Sequence, residues 1–118
     1  MSTLLWCAFG VNRPDSGGRT APSAHNWQEI EVFVALAEGA YRYVPRRHTL
    51  QSVAAADLRH ATGVQEFVGN APLNFVYVAD FAKMVDASAE DRTFYAAADA
   101  GFVAQNVYLY CAAAGLAC

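Results

Sequence analysis

The chain has 118 residues, a length that suffices for one domain with a sizeable core. Of these residues, 55% are hydrophobic and 16% are charged, which is an apolar composition for a soluble monomer. Its formal net charge of −3 gives no electrostatic reason to expect binding to nucleic acid or to an anionic membrane. The three cysteines, Cys7, Cys111 and Cys118, lack metal-type spacing, and their odd number argues against a disulfide framework. We therefore expect free thiols and a cytoplasmic location.

The beginning of the chain predicts a short helix followed by a long loop. Residues 3–9 are apolar on most sides and are followed by Gly10, a pattern typical of a short helix. Residues 12–24 contain Pro14, Pro22 and the pair Gly17-Gly18, which oppose regular structure. Long loops in compact domains are often functional, and an ordinary surface loop is the alternative.

A hairpin is predicted next, because apolar residues alternate with period two over residues 30–36. Glu38-Gly39 forms the expected turn, and residues 41–44 return as the second strand. The following turn contains Arg46-Arg47, for which a charged turn is the simpler interpretation and phosphate binding the alternative. A short extended segment around Leu50 ends this region.

The middle of the chain mixes helical and extended patterns. Residues 54–61 predict a helix that stops at Gly63, and residues 65–68 predict a further helical turn. Residues 73–79 are apolar on both faces, which is typical of a central strand, and a short helix is expected over residues 81–85. This order of elements predicts a single α+β domain.

The last quarter predicts one long helix over residues 90–114. Ser88 and Asp91 form a variant of the capping box, and Gly115 is a natural stop. The helix would be about 37 Å long, as wide as a domain of this size. It is apolar nearly all round, with a narrow polar stripe of Arg92, Asp99 and Asn106.

We expect this helix to form a core element and a subunit interface, with Val107 among its outward positions. A C-terminal membrane anchor is the alternative, since residues 100–118 carry no charge. The adjacent Gln105 and Asn106 and the missing basic flank argue against that anchor.

The common catalytic motifs are absent, including GxSxG, the P-loop, HExxH and GxGxxG. Asp57 and His60 could share a helix face, but a solvated pair is favoured over a metal site. One stretch stands apart, residues 19–28, with the sequence RTAPSAHNWQ. Its hydroxyl, amide and backbone groups could bind the edge of a flat heteroaromatic ring, and local turn hydrogen bonds are the alternative.

This stretch, followed by EIEVFVAL, resembles the flavin loop of the nitroreductase family of FMN-dependent oxidoreductases. Residues 41–50, the QEFV and APL segments of residues 65–73, and residues 99–116 resemble further parts of that family in the same order. The resemblance implies a nitroreductase-like α+β fold, with an antiparallel or mixed sheet flanked by helices and one long central interface helix. It also implies a homodimer with FMN sites between the subunits, a nicotinamide donor and a small electrophilic acceptor.

Carried over residue by residue, the resemblance implies six flavin-contact candidates: Arg19, Pro22, Ser23, Ala24, Asn26 and Gln28. It requires no catalytic side chain and no metal, because the flavin itself performs the redox chemistry. His25 lies inside this loop, and we expect its side chain to pack locally and point away from the ring. The alternative function is a non-catalytic dimeric α+β module that has kept the fold and lost the flavin.

The sequence departs from the family pattern at both ends. The family has basic phosphate-binding residues before the first helix and after the long helix, and neither is found in residues 1–118. We therefore expect a single core domain, shortened at both ends, that holds FMN weakly.

Overall fold

A four-stranded antiparallel sheet lies at the centre of the fold, and two helices cover one of its faces. The structure, a computed structural model, describes residues 1–118. In chain order the elements are α1 (Ser2–Phe9), β1 (Val11–Arg13), β2 (Gly18–Arg19), β3 (Ile30–Leu36), β4 (Gly39–Val44), β5 (Thr49–Ala54), β6 (Asn74–Ala79) and α2 (Ala89–Ala114). The α+β class and the long helix expected from the sequence are confirmed, and the sheet is entirely antiparallel.

The order of strands in the sheet is β5-β4-β3-β6. β3 is paired with β6 from Ala35 to Ile30, whereas its pairing with β4 stops at Phe33 opposite Arg42. β6 lies at the edge, so the prediction of a central strand over residues 73–79 is wrong. Its residues are apolar on both faces, but only β3 is hydrogen-bonded to it, and Val78 is exposed.

The core lies between the inner face of the sheet and the two helices. The alternation in β3 points Ile30, Val32 and Val34 inward, as their sequence spacing predicts. They pack in one cluster with apolar residues of α1 and α2, which are Leu4, Leu5, Ala8, Phe9, Ala96, Val103, Val107 and Cys111. Burial of these side chains stabilises the fold by roughly 1.5–3 kcal/mol for each large one.

α2 has 26 residues and runs along the molecule, whose longest dimension is 40 Å. Its first turn is capped by Ser88, whose Oγ accepts a 3.0 Å hydrogen bond from the Asp91 N–H. Its last turn is closed by Gly115, whose φ of 68° is the left-handed conformation that favours glycine. Both helix ends are therefore those predicted from the sequence. None of the helices is both long and apolar enough to cross a lipid bilayer.

The polar stripe of α2 faces the domain, and much of its apolar surface faces solvent. Asp99 is only 3% exposed, and Asn106 donates to the Ala8 carbonyl oxygen at 3.4 Å. The exposed large side chains of this helix are Phe94, Phe102, Tyr108 and Leu109. The expectation that Val107 points outward is wrong, because it is 4% exposed and packs in the core.

Expectations for the first loop and for the middle of the chain also need correction. The helix predicted over residues 54–61 is wrong, since β5 extends to Ala54 and only Arg59–Ala61 forms one 3₁₀ turn. Asp57 accepts hydrogen bonds from the backbone and side chain of Arg59, a local arrangement that competes with a helix. The loop predicted over residues 12–24 contains the short β1–β2 ribbon. The expected helical turns over residues 65–68 and 81–85 are 3₁₀ turns, Glu66–Asn70 and Phe81–Lys83.

Candidate functional site

The segment from Pro22 to Gln28, which we call the ring loop, has an unusual backbone. Five residues other than glycine have positive φ in this chain, and three of them lie here: His25 at 49°, Asn26 at 56° and Gln28 at 50°. Asparagine tolerates this conformation best, while the others cost roughly 1–3 kcal/mol each. Such strain is retained only where surrounding contacts fix the chain, and it is concentrated at functional sites.

Hydrogen bonds from two directions hold the ring loop in place. The Ala24 N–H donates to Oδ2 of Asp99 on α2 at 2.8 Å. The Ser23 hydroxyl donates to Oε2 of Glu29 at 3.2 Å and accepts from the Gln28 N–H at 2.8 Å. The bond to Asp99 therefore ties the loop to the long helix, the bond to Glu29 ties it to the residue before β3, and the bond between Gln28 and Ser23 closes the loop on itself.

A chain of side chains connects the ring loop to β2 and α1. Arg19 donates to Oε1 of Gln28 at 2.9 Å and to the Phe9 carbonyl oxygen at 3.1 Å. The amide nitrogen of Gln28 in turn donates to Oδ1 of Asn26 at 2.9 Å and to the Gly17 carbonyl oxygen at 3.0 Å. Every hydrogen-bonding group of the Gln28 side chain is thus engaged within the protein.

The structure brings the six predicted site residues together, but it divides them into two kinds. Pro22 and Asn26 are exposed at the surface of the ring loop, and the Asn26 Nδ2 group has no partner within the chain. Ser23, Ala24 and Gln28 are half-buried and use their hydroxyl, N–H and amide groups to shape the loop. Arg19 is also half-buried, and its guanidinium lies 4.9 Å from the centre of the Phe9 ring.

Two acids under the ring loop were not among the predicted site residues. Glu29 is fully buried, and its Oε1 atom has no hydrogen-bond partner. Burial raises the pKa of Glu29, and the negative charge of the neighbouring Asp99 raises it further. The sequence signal for Asp99 is its position in the polar stripe of an otherwise apolar helix. The sequence gives no such signal for Glu29, because the period-two alternation that points Ile30 inward places Glu29 on the outer face of the strand.

Aromatic rings pack beside the ring loop at the start of α2. The His25 ring lies 4.5 Å from the Trp27 ring and 6.1 Å from the Tyr95 ring, measured between centroids. Trp27 and Tyr95 also contact each other edge to face at 5.9 Å. The local packing expected for His25 is present, while its orientation towards a bound ring stays a prediction.

Asp57 and the three cysteines lie outside the ring loop and form no metal site. No group of three or more histidine, cysteine or acidic side chains could hold a metal ion. Asp57 is paired with Arg59 at 2.7 Å, and these hydrogen bonds lower the pKa of Asp57 to about 2. Cys7, Cys111 and Cys118 are all free thiols.

The model of the Nitroreductase family matches residues 1–118, which is the whole chain. The chain belongs to the nitroreductase family. Its sequence is 29% identical to a "putative nitroreductase" of Methanocaldococcus jannaschii, over 98% of this chain and 63% of that relative. The resemblance of the chain to this family is therefore confirmed.

Two solved structures are similar to this nitroreductase-family chain. A "putative nitroreductase" from Ralstonia eutropha has a TM-score of 0.90 and 53% identity, covering 97% of this chain and 54% of its own. The E. coli microcin synthetase McbBCD complex, with truncated pro-MccB17 bound, includes a chain with a TM-score of 0.82 and 26% identity. That match covers 97% of this chain and 48% of the synthetase chain. The chain thus spans about half to two-thirds of the length of these relatives.

Proposed function

We propose that this chain is the core of an FMN-dependent oxidoreductase of the nitroreductase type. It would pass electrons from a nicotinamide donor to a small electrophilic acceptor, in the cytoplasm and as a homodimer. Family membership supports this activity, and the ring loop supplies the local argument for a flavin.

The main support for this proposal is the backbone of the ring loop, which is strained and is held in place by hydrogen bonds. Three left-handed residues other than glycine lie within four positions, and the loop is tied to α2 through Asp99. A surface loop without a ligand gains nothing from such strain, whereas a binding loop gains pre-organisation for a rigid ring.

The donors and acceptors of the loop fit the edge of a flavin ring. Asn26 presents its free amide Nδ2 group at the surface, and the Pro22 ring of the same loop is also exposed. Ser23, Ala24 and Gln28 hold this arrangement, so their side chains or N–H groups act through the loop geometry. When bound, the flavin supplies the hydride and electron chemistry, so no side-chain nucleophile is required.

The exposed face of α2 supports the proposed homodimer. Phe94, Phe102, Tyr108 and Leu109 lie on one side of this helix, together with the small residues Ala97 and Gly101. A Cβ atom at Gly101 would meet nothing within 4 Å, so this side is open to close approach by another helix. Several exposed apolar side chains on one side of a helix are typical of subunit interfaces.

A titration of FMN into the protein, followed by flavin fluorescence, tests the cofactor. We expect saturable binding that Asn26→Ala weakens by about tenfold, the effect of one hydrogen bond. Asn12→Ala removes an exposed asparagine outside the ring loop and serves as the matched control. Anaerobic addition of NADH or NADPH should then bleach the flavin absorbance.

The rival function is a non-catalytic dimeric module of the same fold. Absence of FMN and riboflavin binding at millimolar concentration, with a folded dimer intact, would favour this rival. Binding that Asn26→Ala and Asn12→Ala weaken equally would show that the ring loop is not where the flavin is held.

A further inference from the structure

The sheet opens into a fork between β3 and β4. The two strands are paired from Leu36 opposite Gly39 only as far as Phe33 opposite Arg42. Beyond that point β3 stays with β6 to Ile30, while β4 stays with β5 to Val44. The separating strands leave a cavity of about 220 Å³, with Phe9 and Tyr43 among its apolar lining.

The charged groups that line this fork are mostly cationic. Four of them, Arg19, Arg42, Arg46 and Lys83, are basic, and Glu31 is the only acid. The chain as a whole has a net charge of −3, so the fork is a positive site on a negative protein. Such a local excess attracts anions to a cavity with low-dielectric walls.

Glu31 neutralises only one side of the fork. Its carboxylate is 3.1 Å from Nζ of Lys83 and 3.5 Å from Arg42, which also donates to Gln51. None of the ion pairs in the chain includes Arg19 or Arg46. Two guanidinium groups therefore line the same cavity without a carboxylate partner.

Arg19 and Arg46 are close enough to affect each other. Burial, followed by the positive charge of Arg46, lowers the pKa of Arg19. Arg46 also lies against the β1–β2 turn, since a Cβ atom on Gly17 would be 3.0 Å from its Nη2 atom. An anion between two such groups would replace repulsion with charge-assisted hydrogen bonds.

We propose that the fork between β3 and β4 binds an oxyanion, a phosphate or carboxylate group of a small molecule, through Arg19 and Arg46. The cavity, of about 220 Å³, has room for an anionic group together with water molecules. Arg19 also contacts Gln28 of the ring loop, so the fork is continuous with the proposed flavin site. Use of the fork by the flavin phosphate itself rests on the proposed function, whereas binding of an anion does not.

Titration of inorganic phosphate and of acetate into the chain, at constant ionic strength set with chloride, tests the site. Nuclear magnetic resonance shifts of the backbone amides of Val44 and Arg46 give the readout. We expect saturable binding of one or both anions, weakened about tenfold or more by Arg46→Gln, the loss of one charge-assisted contact. Arg47→Gln removes the same charge from the next residue, which does not line the cavity, and should leave binding unchanged.

Equal weakening by Arg46→Gln and Arg47→Gln would overturn the proposal, because it would reflect net charge alone. Absence of saturable shifts for either anion at tens of millimolar would overturn it as well. Unchanged amide spectra away from the turn establish that both variants remain folded.

Comparison of FMN with riboflavin shows whether the anion bound in the fork is the flavin phosphate or a group of a separate ligand. If Arg46→Gln weakens FMN binding and spares riboflavin, the fork holds the flavin phosphate. If it spares both flavins and weakens binding of phosphate or acetate, the fork holds a separate anionic ligand, and the anion site is supported. Failure of both flavins to bind would refute the proposed function, while saturable phosphate binding would still support the fork as an anion site.

Discussion

The backbone N–H of Ala24 and the carboxylate of Asp99 are joined by a 2.8 Å hydrogen bond between residues 75 positions apart. Asp99 is buried at 3% exposure in the middle of α2, and Ala24 directly precedes the strained part of the ring loop. The bond therefore makes the position of the loop depend on the position of the long helix. If α2 forms the subunit interface, dimerisation and the geometry of the ring loop are coupled through this contact.

Removal of the Asp99 carboxylate should loosen the ring loop. Asp99→Ala leaves the Ala24 N–H without its partner, and we expect a loss of about 1–3 kcal/mol in the free energy of unfolding. Asp99→Asn retains an oxygen acceptor, so its free energy of unfolding should fall by less than that of Asp99→Ala. Urea denaturation gives the free energies, and hydrogen exchange of the Ala24 amide reports the loop itself.

Asp91→Ala is the matched control, since it removes an exposed acid from the first turn of the same helix. It should cost less than about 1 kcal/mol, the usual size of an interaction with the helix dipole. Equal losses for the Ala variants at both positions, with unchanged exchange at Ala24, would contradict the coupling.

Glu29 should make stability depend on pH. Its pKa in the folded state is raised above the ordinary value of 4.5, chiefly by burial, so the folded state holds this proton more tightly than the unfolded chain. The destabilisation of the folded state by Glu29 is therefore absent below the pKa that Glu29 has in the unfolded chain. It grows as the pH rises to the pKa of Glu29 in the folded state, and it is constant above that value. Glu29→Gln, which is neutral at every pH and can still accept a hydrogen bond from Ser23, removes this destabilisation.

We therefore expect Glu29→Gln to stabilise the chain at about pH 7.5 and to change its stability much less at about pH 4. Urea denaturation at the two pH values measures the difference. Glu38→Gln, in the exposed hairpin turn, is the control and should have little effect at either pH. If the Glu29→Gln variant is less stable than the parent chain at neutral pH, the buried carboxylate is charged and favourably paired.

The ends of α2 could be predicted from the sequence, whereas the direction of its polar stripe could not. Ser88 and Gly115 act within the helix itself, so their roles are visible in local sequence. Asp99 and Asn106 face inward because their partners are backbone groups of Ala24 and Ala8, which are distant in the sequence. Local periodicity contains no information about such partners, and a polar stripe is read as solvent-facing by default.

The same reason explains the incorrect prediction for β6 and the missed acid at Glu29. β6 is apolar on both faces, which is typical of a central strand, but its place at the edge is decided by which strands pair with it. Glu29 lies just before β3, where the alternation placed it on the outer face, yet the ring loop folds over it. The candidate residues of the ring loop follow from the family resemblance and stay a prediction, while their division into exposed and structural groups depends on left-handed backbone angles.

His25 is expected to support the loop and not to transfer protons. Its ring packs at a tilt against Trp27 and edge to face against Tyr95, so His25→Ala should lower thermal stability slightly. Turnover of the flavin-loaded protein should fall less than tenfold, since flavin reduction can take its proton from solvent. A hundredfold loss of turnover at full flavin occupancy would assign His25 a direct chemical role.

A charge placed on the exposed face of α2 tests the proposed homodimer. Leu109 is 59% exposed on this face, and Leu109→Glu would place a charge in the proposed interface, where desolvation should cost several kcal/mol of association free energy. Val53→Glu, on β5, changes a side chain of almost equal exposure, 58%, outside α2. We expect light scattering to show dimers for the parent chain and for Val53→Glu, and monomers for Leu109→Glu with its helix content retained. A parent chain that is monomeric at micromolar concentration would exclude α2 as a self-association surface. A dimer that survives Leu109→Glu would place the interface elsewhere on the molecule.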